Sequence, residues 1–395
     1  MAKTISKTIY QLSTFKPEQC GIAAWTEDKI NYSHGVNPNL RNRVIAINGF
    51  RIQSEYADPV DLCIERDKRE DYPLAADFVN ERGDLASIQH EFGIFGGERG
   101  KFIGDYILDF LDRLEKPVMM TTHTVLGDVG DDESDQKRKE IFREILPNID
   151  HVIAISNTAR DLLIKEYGIN PEKVTMIHHG VHDFEETPEH SRKIIGGLEN
   201  RFLLSTVGLI RSIRGFEHVI RALPRVVEKH PDLLYMIAGK THPKEFAEDG
   251  SEPYRMGLQK EVQDLHLENN VIFINQWLPL NILLRHIQAS DMAITPYRDP
   301  KQVSSGILSY NLGLSKPVIS TPFAYAKEIL ADGRGIVLPD FNNPESISEA
   351  LLEVLDNREL VTQMKERIEP LKEKMMWSNV AKKYIGVEKK LMNSS

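Results

Sequence analysis

Cysteine is scarce: the 395 residues hold only Cys20 and Cys63, too few for a disulfide framework and without metal-ligand spacing. No HExxH, CxxC or acidic cluster with ligand spacing occurs, so no protein-held catalytic metal and no cofactor are expected. Long apolar runs are missing as well; none is long enough to cross a bilayer, and the N-terminus lacks a signal-peptide core. These absences lead to the expectation of a reducing, cytoplasmic location. Positive charge is not in excess either. The net charge is −10, which argues against nucleic acid as a partner. What is present is 41% apolar and 27% charged residue, the composition of a soluble globular protein, in a chain too long for one ordinary core.

Short apolar runs alternate with amphipathic stretches, the pattern of an α/β protein with parallel sheets. In the first half the predicted strands are residues 8–14, 43–48, 85–91, 117–124, 151–156 and 173–180. Helical spacing marks Lys101–Leu114 and Arg160–Tyr167, the latter with Ser156 or Asn157 as N-cap and Gly168 as stop. The pattern breaks at Thr187–Asn200, read as a linker. It restarts with predicted strands at 202–208, 233–239, 271–275, 292–297, 317–321 and 335–339. Two doubly wound domains follow, 1–195 and 196–371, with a terminal helix in 372–395 joined to the first. The acidic stretch Asp128–Asp135 reads as a solvated loop or helix start. Met376–Met392 reads as a packed terminal helix, with at most peripheral membrane contact.

Ligands of open parallel sheets bind beyond the carboxyl ends of the strands. In the first half those ends carry Gly21, His90, Glu91, His123, Ser156, His179 and Gly180. In the second they carry Gly208, Gly239, Lys240, Gln276, Trp277, Tyr297 and Thr321. The segment Met292–Pro322 reads as strand, Ser/Gly turn, short apolar helix and strand. Ser304, Ser305 and Gly306 fall where that helix begins, a place suited to a phosphate. Arg211 and Arg214 can clamp a diphosphate bidentately, and Trp277 can cover a base or sugar. His90 and His179 are read equally as structural residues or as site residues; His123, closing a very apolar strand, is read as functional.

At these residues the chain resembles the glycosyltransferases of family 4, with the GT-B fold of two facing Rossmann-like domains and a C-terminal crossover helix. The motifs are CGIA (20–23), IQHEFGIFGG (88–97), TTHTVL (121–126), MIHHGVHD (176–183), VGLIRSIRGFEHVIRAL (207–223), SSGILSYNLGLSKPVISTP (304–322) and KEILADGRGIVLP (327–339). The resemblance implies a retaining, metal-independent hexosyltransferase, GDP-mannose or UDP-glucose being the donor and a saccharide or other hydroxyl compound the acceptor. It implies that the second domain binds the donor, through Gly208, Arg211, Arg214, Gly239, Lys240, Trp277, Gln302, Val303, Ser304, Ser305, Gly306 and Glu328. Gly21 would approach the phosphates and His123 the transferred sugar. His90, Glu91, Gly96 and Gly97 would serve the acceptor. Two departures stand out. Gln302 and Tyr310 occupy positions where the family commonly has glutamates, and Leu209 and Arg214 replace the usual arginine and lysine. A glycoside phosphorylase and a non-catalytic nucleotide-sugar-binding relative therefore remain the alternatives.

Overall fold

The computed structural model describes residues 7–49, 56–99, 103–128, 130, 132–198 and 200–394. Lys101 and Phe102 of one expected helix, Val129 and Asp131 of the acidic stretch, and Glu199 of the expected linker lie outside them. The chain divides into two compact units, Met1–Gly180 with Trp377–Ser395, and Val181–Met376.

The first unit is built on seven parallel strands: β1 Lys7–Ser13, β2 Leu40–Asn48, β3 Val60–Glu65, β4 Leu85–His90, β5 Val118–Thr122, β6 His151–Ala154 and β7 Val174–Met176, in the order β3-β2-β1-β4-β5-β6-β7. Helices cover both faces of such a sheet, so its central strands read as continuous runs rather than alternating ones. β4 and β5 are buried at every residue. The unanticipated strand is β3, whose sequence VDLCIE leaves Asp61, Cys63 and Glu65 exposed and only Ile64 fully buried. It is an edge strand, and its polar alternation hides it from a search for apolar runs.

Among the helices, Asn157–Lys165 begins at Ser156, whose hydroxyl accepts from the Ala159 amide at 3.0 Å. The helix expected from Lys101 is shorter, Ile107–Arg113, because Gly104 takes φ +85° and breaks the turn before it. The terminal helix, Trp377–Ser394, buries Trp377, Val380, Tyr384, Ile385 and Met392. Trp377, Val380 and Tyr384 join Trp25, Met119, Ile153 and Ile177 in one cluster of the first unit. Its apolar side is thus occupied by packing. No helix among the described residues is long and apolar enough to cross a membrane.

The second unit has six parallel strands: β8 Phe202–Val207, β9 Leu233–Ala238, β10 Val271–Ile274, β11 Met292–Thr295, β12 Val318–Ser320 and β13 Ile336–Val337, in the order β10-β9-β8-β11-β12-β13. All six lie within the runs predicted from sequence. The helix Phe216–Lys229 lays Phe216, Val219, Ile220, Leu223 and Val226 into this unit's core. The unit begins at Val181 rather than at residue 196, and the stretch read as linker contains the helix Pro188–Ile195. Its polar composition reflects a solvated helix pinned by charge: the Arg192 guanidinium donates to the Ala289 carbonyl at 2.8 Å and to Asp291 at 2.5 Å. At its other end the unit runs to Met376, because the helix Glu359–Met375 continues past the expected boundary at 371.

In each sheet the winding reverses once, between β1 and β4 and between β8 and β11. There the loops leaving neighbouring strands diverge and open a crevice at the carboxyl edge.

Packing at the seat of the terminal helix is testable. A Cβ at Gly180 would lie 2.2 Å from the Trp377 ring. Gly180→Ala should destabilise the first unit by about 1–3 kcal/mol through overpacking, measured as a lower denaturant midpoint in tryptophan fluorescence.

Candidate functional site

In the second unit the ends of β8, β9 and β11 come together. Gly208, directly after β8, has φ +107°, and a Cβ there would sit 3.4 Å from the Ile307 side chain and 3.9 Å from Arg214 Nη1. The strand-end glycine, one arginine and the first turn of the helix Gly306–Gly313 therefore share one small space. Gly239 closes on the same place: a Cβ there would fall 2.0 Å from the Gly208 carbonyl oxygen. Gly239 requires glycine because the Gly208 backbone lies against it, and Gly208 because its φ of +107° is one that side chains disfavour.

Ser305 caps the helix, its hydroxyl accepting from the Leu308 amide at 3.2 Å. The helix supplies no carbonyl for the amides of Gly306 and Ile307. The preceding turn is held by the Gln302 side-chain amide, which donates to the Ser304 carbonyl at 2.7 Å, and by the Tyr325 amide, which donates to the Gln302 carbonyl at 3.0 Å. Val303 is buried beneath the turn. Gln302 thus shapes the loop through its own amide. Tyr310, the other departure, is buried in the core with its ring centroid 6.0 Å from that of His182.

Arg214 lies over the Tyr297 ring, 4.6 Å from its centroid, and donates to the Tyr297 hydroxyl. Arg211 is half-buried; burial, then the Arg214 charge, lowers its guanidinium below the ordinary value. Two partly buried, neighbouring guanidinium groups favour an anion beside them. Ser212, between them, donates through its amide and hydroxyl to Glu245 at 3.1 and 3.0 Å. Lys240 is exposed just past Gly239, and Trp277 is 37% exposed beyond β10. Glu328 lies on the helix Ala324–Ile329, partly exposed.

Sequence reasoning missed Arg255. It is 3% exposed, donates to the Gly239 carbonyl at 2.7 Å and to Thr241 Oγ1 at 3.0 Å, and pairs with Glu252 at 2.9 Å. It ties the loop after β9 in place. Lying in the first turn of Pro253–Asp264, it gave no signal beyond being an arginine in a half-polar helix.

In the first unit Gly21 opens the helix Gly21–Val36, with open space where a Cβ would stand. Cys20 caps that helix through its sulfur, 3.3 Å from the Ala23 amide. His123 follows β5, with Nε2 3.2 Å from Gln89 Oε1 and its ring edge-on to Trp25 at 5.1 Å. Burial, then neighbouring His179 and His90, lowers its pKa to about 3, so the imidazole is neutral at pH 7. His179 donates from Nδ1 to the Gly180 carbonyl at 2.8 Å.

Of the two readings of His90, its surroundings are those of the structural one. Its side chain turns into the core, 1% exposed, with ring centroids 4.8 Å from Phe92 and from Phe142. What it offers the neighbouring loop is its carbonyl, which accepts from the His123 amide at 2.9 Å. Glu91 accepts from the Thr124 hydroxyl, and burial raises its carboxyl above the ordinary value. Gly96 and Gly97 are close-packed: Cβ atoms there would meet the Arg66 carbonyl at 2.0 Å and Asp105 at 2.1 Å. Those glycines serve chain packing, whatever lies beyond them.

The buried ring of His90 sets a pH dependence. Burial lowers its pKa to about 3, whereas the unfolded side chain titrates near pH 6.5. The unfolded state alone takes up the proton as pH falls below that value, so stability present at neutral pH is lost on acidification. From pH 7 to pH 5 this one group should cost about 2 kcal/mol. In His90→Phe the fall in urea midpoint over that interval should be smaller by a corresponding amount.

Comparison with known proteins places this geometry. Residues 187–369 match the model of glycosyl transferases group 1, and residues 102–183 that of glycosyltransferase family 4. An uncharacterized glycosyltransferase of Methanocaldococcus jannaschii is 24% identical over 65% of this chain and 62% of its own length. The D-inositol 3-phosphate glycosyltransferase of Corynebacterium diphtheriae is 23% identical over 61% of this chain and 57% of its own. The chain thus spans about three fifths of the length of these relatives. Among solved structures, a glycosyltransferase of Rickettsia africae superposes with TM-score 0.74 at 17% identity, covering 99% of this chain and 100% of that one. Anabaena HepE in complex with UDP gives 0.72 at 14%, covering 97% and 100%. With two parallel doubly wound sheets and both family matches, the chain belongs to the group 1, family 4 glycosyltransferases and has the GT-B fold.

Proposed function

We propose that the protein is a retaining hexosyltransferase that moves glucose or mannose from a nucleoside-diphosphate sugar to a saccharide or other hydroxyl acceptor. The observation that carries this reading is the convergence of Gly208, Arg214 and the Ile307 turn in the second unit. A diphosphate fits there against main-chain amides and two guanidinium groups. Each charge-assisted contact contributes roughly 1.5–3 kcal/mol, and the helix terminus about 0.3–1 kcal/mol more. The structural neighbour HepE is described in complexes with UDP and with UDP-glucose, which favours UDP-glucose as the first donor to test and GDP-mannose as the second.

On this reading the second unit binds the donor and the first the acceptor. The main catalytic task is stabilisation of the departing diphosphate by Arg211, Arg214 and backbone N–H groups. Lys240, Trp277 and Glu328 complete the donor site, and His123 serves the transferred sugar. Glu91 and the loop carrying Gly96 and Gly97 serve the acceptor. No protein-held metal is required, because the arginines supply the charge. A reducing cytoplasm suits the two free cysteines.

Thermal shift with UDP-, GDP- and ADP-sugars should raise the melting temperature for one base class, since a ligand selective for the native state stabilises it. Arg214→Ala should lower transfer at least tenfold; a purified variant with unchanged rate removes the diphosphate clamp from the mechanism. His123→Ala should lose turnover while nucleotide affinity stays within about twofold. Phosphate-dependent cleavage of a disaccharide without nucleotide would instead identify a phosphorylase.

A further inference from the structure

A buried ion pair lies far from the strand ends. Lys29, on the helix Gly21–Val36, and Glu388, on the terminal helix, are 2.8 Å apart and both wholly buried. Isolating two charges from water costs several kcal/mol per ion, and apolar residues of similar volume are often as stabilising. The pair calls for a role besides stability.

Its surroundings supply one. Lys29 Nζ also donates to Gln11 Oε1 and to Ser87 Oγ, each at 3.0 Å. Gln11 Nε2 donates to Asn42 Oδ1 at 2.8 Å, and Gln89 Nε2 donates to Gln11 Oε1 at 3.2 Å. Gln89 Oε1 then faces His123 Nε2 at 3.2 Å. The sheet register builds the row: Gln11 pairs with Ser87 across β1 and β4, and the period of two puts Ser87 and Gln89 on one face. Gln11, Ser87 and Gln89 are wholly buried.

Hydrogen-bond polarity runs one way along this row. An ammonium only donates, so Gln11 must turn its oxygen toward Lys29. That oxygen obliges Gln89 to turn its nitrogen toward Gln11 and its oxygen toward His123. A carbonyl oxygen only accepts, so the ring proton of neutral His123 is on Nε2.

We propose that the Lys29–Glu388 pair, acting through Gln11 and Gln89, fixes the tautomer and orientation of His123. The role of His123 at the sugar rests on the function proposed above; the relay that sets its tautomer does not. Lys29, Gln11, Gln89 and Glu388 are positioning residues, touching no substrate themselves. The terminal helix contributes to the chemistry through Glu388, in addition to closing the core.

The test is 15N NMR of the full chain labelled in histidine, with the His123 signal identified by its loss in His123→Ala. At pH 7 the wild type should show a single neutral Nε2–H tautomer at this residue. The charge-free double variant Lys29→Met/Glu388→Met should give a mixture of tautomers. UDP release from UDP-glucose should fall about tenfold in kcat, with UDP affinity unchanged. Gln89→Leu should behave alike, and carries the test if the double variant does not fold. Gln89→Glu, which keeps an oxygen acceptor, should restore the Nε2–H form. An Nδ1–H tautomer in the wild type, or an unaltered tautomer in a folded double variant, overturns the relay. Turnover retained in His123→Ala would overturn the proposed function instead and leave the tautomer result standing.

Discussion

Parallel pairing is the constraint from which the rest of each unit follows. When all strands run one way, every connection must return over a face, and every strand must end at the same edge. The residues with chemistry to offer collect at that edge without any local signal drawing them together. In the second unit this brings Gly208, Gly239 and the start of the helix Gly306–Gly313 within contact of one another. In the first it places His90, His123 and His179 at or after the ends of β4, β5 and β7. Gly239 is required because the Gly208 backbone meets it there, and Arg214 Nη1 lies beside Gly208.

Much of this was legible in the sequence, because strands buried on both faces announce themselves as apolar runs. All six strands of the second unit and four of the seven in the first fall within runs read from sequence, and β1 and β2 overlap theirs but begin earlier, at Lys7 and Leu40. The exception, Val60–Glu65, is an edge strand whose outward residues are polar. The limits of the units were less legible. Thr187–Asn200 has the composition of a linker, yet Arg192 fastens much of it to Asp291, a partner far along the chain. His90 shows the same limit at a single residue. A strand-end histidine can face the crevice or the core, and only the packing of Phe92 and Phe142 decides.

The groups that were illegible share a physical trait: they are charged residues doing internal work. Arg255 binds the loop after β9 from within a helix, and Lys29 meets a carboxylate on the terminal helix. Pattern reading assigns charge to surfaces, and these residues break the rule because their partners are distant in sequence. The departures at Gln302 and Tyr310 belong beside them. Gln302 spends its amide on the turn it belongs to, and Tyr310 fills core volume. Neither position presents a carboxylate.

Lys29 is translated early and Glu388 late, with the whole of Val181–Met376 between them. On the ribosome, where domains otherwise mature in order of emergence, the first unit cannot neutralise its interior ammonium until the second has been made. Maturation of the amino-terminal half is thereby tied to synthesis of the helix Trp377–Ser394, without which the Lys29 ammonium keeps Gln11 and Ser87 but lacks its carboxylate partner.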